Sequence, residues 1–128
     1  MSEEERVLKQ HFVQLLSFFP GISVAPPTDW QFYDPIYTER YMGLNSVGDN
    51  QAGYNTSSLL NKVEKLRGKV FQLNHGVADD NVHYQQSMFL IKALEVADIA
   101  FDQQSFPDEN HGLGGVSKFL YRSFDNFW

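Results

Sequence analysis

Two residues stand out for what they could do together. Asp79 lies in the run His75-Gly76-Val77-Ala78-Asp79-Asp80-Asn81, and His111 follows 32 positions later in Pro107-Asp108-Glu109-Asn110-His111-Gly112. A carboxylate beside an imidazole holds one ring tautomer and stabilises the ring when it is protonated. The imidazole can then carry a proton to and from a nucleophile. Taken bare, this is a short signal, because a lone Asp or His in a loop is more often a solvated or capping residue. A second chemistry competes for the same letters: His75, Asp79, Asp80 and His83 could ligate a metal. Those four come from a loop and a helix start, without a recognised ligand spacing.

The elements around the pair give the first reading its force. Residues 70–74 and 99–106 read as strands, the second weaker because Asp102, Gln103 and Gln104 are polar. Ile22-Ser23-Val24-Ala25 reads as a third strand, closed by Pro26-Pro27. Helices are predicted between them. One follows Asp34-Pro35, an N-cap with proline at the first helical position, and runs to about Met42. A second is capped by Thr56 or Ser57, carries Leu59, Leu60, Val63 and Leu66, and is closed by Gly68. A third carries Tyr84, Met88, Ile91 and Leu94, and a last one Val116, Leu120, Phe124 and Phe127. Residues 43–54 read as a polar loop, and residues 2–19 as a helix with a Leu8, Phe12, Leu15, Leu16, Phe19 stripe. Strands alternating with helices predict an α/β unit of about three parallel strands. In such a sheet, ligands and catalytic groups sit just past the carboxyl ends of the strands. Asp79 and His111 each follow a strand, in the acid-then-histidine order of an α/β-hydrolase triad.

Composition narrows the classes. The 128 residues suffice for one domain, and a net charge of −6 argues against a nucleic-acid or polybasic membrane role. The absence of cysteine removes disulfides, zinc–thiolate sites and cysteine catalysis from this chain. Ser2-Glu3-Glu4-Glu5 is an acidic start where a secretory signal needs a basic one. No apolar run approaches membrane-spanning length.

Three blocks make the reading specific. They are Val24-Ala25-Pro26…Trp30…Tyr33-Asp34…Tyr37-Thr38-Glu39-Arg40-Tyr41-Met42-Gly43-Leu44, then His75 through Gln86, then Asp108-Glu109-Asn110-His111-Gly112-Leu113. Residues 21–128 resemble, in order and spacing, the dipeptidyl peptidase IV and fibroblast activation protein group of the prolyl oligopeptidase family. The resemblance implies the C-terminal portion of an α/β-hydrolase catalytic domain, and residues 1–20 lie outside it as a separate helical segment. It implies a serine peptidase that removes N-terminal dipeptides ending in proline or alanine, without a cofactor. Asp79 matches the triad acid and His111 the triad histidine. Asn81 matches a residue that bonds the substrate backbone. Trp30, Tyr33, Tyr37 and Val82 match the pocket for the proline ring, a flat apolar wedge that aromatic walls select by contact. Peptides with penultimate Pro or Ala are the implied partners, with a homodimer through this region. The implied location of the parent is the plasma membrane or outside the cell, with which the sequon Asn55-Thr56-Ser57 agrees.

The departures bear on activity. The group's Gly-Trp-Ser-Tyr-Gly-Gly elbow is not in this sequence, and Ser17 is flanked by bulky Leu and Phe residues unsuited to that strained turn. The oxyanion tyrosine, the acidic pair for the substrate amine and the β-propeller are not in it either. Pro20 stands where relatives have a cysteine, Asn74 where they have an apolar strand residue, and Pro27 where they have a small apolar one. The sequence therefore predicts a peptidase by family whose nucleophile this chain does not supply, inactive alone. The other class of function compatible with a missing serine is a non-catalytic binding module. Against it, Asp79, Asn81, His111 and the aromatic set are all retained.

Overall fold

The computed structural model of the chain describes residues 20–128, and the helix predicted over 2–19 and Ser17 lie outside them. Three parallel strands form one sheet in the order β1 (Gly21–Val24), β2 (Phe71–Gly76), β3 (Asp102–Phe106). Ile22 pairs with Gln72 and Val24 with Asn74 on one side of β2, while Asn74 pairs with Gln104 and Gly76 with Phe106 on the other. All six residues of β2 are buried, as a central parallel strand requires. The polar run Asp102-Gln103-Gln104 is tolerated because β3 lies at the end of the strand order, where its first two residues stay exposed.

Helix α1 (Pro35–Met42) begins as its sequence predicts, with Asp34 accepting from the Ile36 N–H at 2.8 Å. Helix α2 (Gln51–Ser57) lies where a loop is predicted. Its polar sequence hid a tertiary anchor: Tyr54 is buried and its hydroxyl donates to the Gly43 carbonyl at 2.8 Å. Thr56 consequently sits inside this helix, bonding back to the Ala52 carbonyl, and caps nothing after it. The predicted helix over Leu60–Leu66 is wound as a 3₁₀ segment that still buries Val63 and Leu66.

Helices α3 (Gln85–Val96) and α4 (Ser117–Phe127) complete the layers. Leu90, Ile91 and Leu94 of α3 pack on Phe71 and Leu73 of β2, joined by Val63, Leu66 and Ile99. Leu94, Leu73 and Leu90 are at most 2% exposed. Each such side chain contributes about 1.5–3 kcal/mol by leaving water. Phe106, Leu113 and Leu120 form a smaller cluster under α4. Residue alternation along β2 then turns His75 toward the same face as Phe71 and Leu73, and sets Asn74 on the opposite one. Asn74 is completely buried, and its amide has no hydrogen-bond partner among the described residues.

Candidate active site

The carboxyl ends of β2 and β3 lie side by side, and the loops leaving them are laced together. The Val77 N–H donates to the Phe106 carbonyl at 2.9 Å and the Ala78 N–H to the Glu109 carbonyl at 3.0 Å. Gly76 permits this approach: a Cβ there would collide with the Glu109 carbonyl and lie 2.8 Å from that of Asn110. Asp108 and Leu113, on either side of His111, take left-handed backbone angles of φ 57° and 49°. Such conformations persist where surrounding contacts fix them.

This lacing brings Asp79 and His111 together. His111 Nδ1 lies 2.8 Å from Asp79 Oδ2, with the Asp79 side chain fully buried and that of His111 43% exposed. Asp79 Oδ1 accepts from the backbone N–H groups of Asn81 and Val82, both at 2.9 Å. A fourth donor closes the set, because His75 Nε2 lies 3.1 Å from Asp79 Oδ2. An ionised carboxylate has about four acceptor sites, and here each has a donor. Burial pushes the Asp79 carboxyl up, but the His111 hydrogen bond, the Asn81 N–H, the charge of His111 and the Val82 N–H together hold it below its ordinary value. An acceptor at Nδ1 puts the proton of the neutral His111 ring on that nitrogen. Its Nε2 then keeps a lone pair, on a side chain that is part-exposed.

The aromatic set gathers one step away. Asp29 caps a short 3₁₀ turn, Trp30–Phe32, by accepting from the Gln31 N–H. Trp30 and Tyr33 meet edge to face at 5.6 Å, and Tyr33 and Tyr37 at 5.7 Å. Trp30 and Tyr37 stack at 6.5 Å. The Tyr33 hydroxyl donates to Asn81 Oδ1 at 2.8 Å, tying this set to the residue two positions after Asp79. Burial raises the Tyr33 phenol, with Tyr37, Asp34 and Asp79 adding to the shift, so it remains a donor. Val82 is 4% exposed and contributes through its backbone, N–H to Asp79 and carbonyl to His75. An open hollow of about 690 Å³ borders Phe32, Tyr33, Asp34, Asp80, Asn81 and His83. Among the described residues, no group of three or more His, Cys, Asp and Glu side chains converges as metal ligands would. His75 and Asp79 are joined to each other, and His83 faces the hollow.

The chain matches the family model described as the prolyl oligopeptidase family over residues 16–128. It belongs to the prolyl oligopeptidase family. Venom dipeptidyl peptidase 4 of Apis mellifera is 56% identical over 108 residues, covering 84% of this chain and 14% of that protein. Prolyl endopeptidase FAP of Homo sapiens is 43% identical over the same length and shares. The crystal structure of Porphyromonas gingivalis dipeptidyl peptidase 4 superposes with a TM-score of 0.79 at 42% identity, covering 87% of this chain and 16% of that one. The prolyl oligopeptidase family thus accounts for the three parallel strands and flanking helices, and the chain spans about a seventh of the length of these relatives. Among the described residues, no helix is long and apolar enough to cross a membrane.

Sequence reasoning missed the residues that hold this site from behind. Gln86 is 1% exposed. Its Oε1 accepts from the N–H groups of Thr28 and Asp29, both at 3.0 Å, and its Nε2 donates to the Asp29 carbonyl at 3.0 Å. It therefore fixes the segment that leads into Trp30. The next residue, Ser87, holds His75 at 2.6 Å. A Gln-Ser pair at a helix start carries no sequence signal of such a role, because 57 residues separate Gln86 from Asp29.

Proposed function

We propose that this chain carries the acid and the histidine of a serine-type dipeptidyl peptidase, Asp79 and His111, together with Trp30, Tyr33, Tyr37, Asn81 and Val82 of its substrate pocket. The observation that carries the reading is the Asp79–His111 bond of 2.8 Å, on a carboxylate whose other acceptor sites are filled. Held this way, His111 Nε2 can take the proton of a serine hydroxyl as it attacks a peptide carbonyl. The same nitrogen then gives the proton to the departing amine. Asp79 stabilises the imidazolium between the two steps. The aromatic faces suit a proline ring at the second substrate position, and Asn81, oriented by Tyr33, suits a substrate backbone amide. Family membership and the names of the relatives support this substrate class.

The serine itself is not supplied by a Gly-x-Ser-x-Gly elbow in this sequence. The purified chain should therefore leave a Gly-Pro chromogenic substrate intact. A longer protein that joins this sequence to such an elbow should hydrolyse it, and Asp79→Asn or His111→Ala should each lower kcat by at least roughly 10³-fold. Turnover by the chain alone that His111→Ala abolishes would reveal a nucleophile within it. Full turnover by the longer protein carrying either substitution would refute the assignment of the pair.

A further inference from the structure

We propose that His75, held from behind by Ser87, is a positioning residue whose ring aims the Asp79 carboxylate at His111. The inference deepens the peptidase reading above and rests on it for its functional meaning. His75 is 1% exposed, at the end of the central strand and four residues before Asp79. Its Nε2 faces two oxygens, the Val82 carbonyl at 2.8 Å and Asp79 Oδ2 at 3.1 Å. Neither oxygen has a proton to give, so in the neutral ring Nε2 carries the hydrogen and donates to both. Nδ1 then has only a lone pair, and the Ser87 hydroxyl at 2.6 Å donates to it. The Tyr84 ring stands edge to face against the imidazole at 5.5 Å, and the Tyr84 hydroxyl meets Ser105 of β3 at 2.8 Å. The ring is thus confined on its edges and on one face.

The consequence falls on the carboxylate. Oδ1 is pinned by two backbone N–H groups. Without His75, Oδ2 would have His111 alone, a partly exposed side chain on a loop. With His75 donating from the interior, Oδ2 is fixed before His111 arrives. A polar residue therefore stands near the buried end of β2 for a reason other than packing.

The test uses the intact chain, uniformly labelled with nitrogen-15, and reads the His111 ring nitrogens and the Nδ1-bound proton by NMR. Ser87→Ala should leave the fold in place. It should loosen the His75 ring against Asp79 and speed exchange of the His111 Nδ1 proton with water by up to roughly tenfold, the worth of one hydrogen bond. Ser87→Thr, which restores the hydroxyl, should return the exchange rate toward that of the parent chain. If Ser87→Ala fails to fold, Ser87→Cys, with similar volume and a weaker donor, should show the same change at smaller size. Ile91→Val, on the same helix but outside the network, should lower stability and leave the His111 signal unmoved. An unchanged His111 exchange rate in a folded Ser87→Ala or Ser87→Cys chain would reduce His75 to a packed core residue and overturn the inference. No peptide is hydrolysed in this measurement, so an inactive peptidase and an idle His75 give separate results.

Discussion

Replacing Gln86 by methionine tests whether a single buried amide holds the pocket wall to the sheet. Methionine nearly preserves the volume and the unbranched shape, so cavity formation contributes little. Four polar groups lose a partner. The Asp29 carbonyl keeps the Phe32 N–H at 3.2 Å, and the Thr28 hydroxyl keeps the Gln86 backbone carbonyl at 2.8 Å. Two N–H groups do not recover, those of Thr28 and Asp29, on residues 1% and 4% exposed. A buried donor left unpaired costs about 1–3 kcal/mol, and partial relaxation toward solvent at Asp29 trims the pair to about 3 kcal/mol. For a domain of this size that is a fall of roughly 10 °C in Tm. Urea denaturation of the chain, followed by tryptophan fluorescence with the m-value held constant, measures it. The near-UV circular dichroism of the Trp30–Tyr33–Tyr37 set should weaken in parallel, because Asp29 precedes it directly. A loss below about 1 kcal/mol with undiminished aromatic dichroism would show that the Gln86 bonds are not what anchors this segment.

Other perturbations bear on the same rim. Gly76→Ala should force the Glu109–Asn110 backbone away, separate His111 from Asp79, and cost about 1–3 kcal/mol. An NMR spectrum with the His111 Nδ1 proton unchanged would contradict it. Asn74→Val should stabilise the chain by about 1 kcal/mol or more, since it removes two buried amide atoms that lack partners among the described residues. A lowered urea midpoint would show that the amide is satisfied. Asp79 is held below its ordinary value of 3.8, so its contribution to stability is complete above that value and is lost as pH falls through the lower folded one. The urea midpoint of the parent chain should therefore approach that of Asp79→Asn on acidification below about pH 4, and parallel profiles would refute the assignment.

Much of the frame was legible without coordinates. The three strands and the Asp34-Pro35 helix start follow from local patterns that one stretch of chain fixes by itself, and the parallel pairing from the alternation of strands with helices. The misread segments are those where distant contacts overrule local preference. Residues 51–57 are polar and contain glycine, yet they wind into a helix because Tyr54 finds a buried partner in Gly43. Residues 60–66 keep their apolar positions but tighten to 3₁₀ geometry.

At the site, the sequence by itself determined which residue types were at hand and that Asp79 and His111 each follow a strand. It left open whether they meet, and left His75 among the candidate metal ligands. Only the tertiary structure decided that His75 faces Ser87 and Asp79, that Gln86 clasps Thr28 and Asp29, and that the Val82 backbone bonds Asp79 and His75. The physical reason is that hydrogen bonds between groups 32 or 57 residues apart depend on the register of β2 against its neighbours. A one-residue slip would turn His75 to the opposite face and send Asp79 elsewhere, with no letter of the sequence changed.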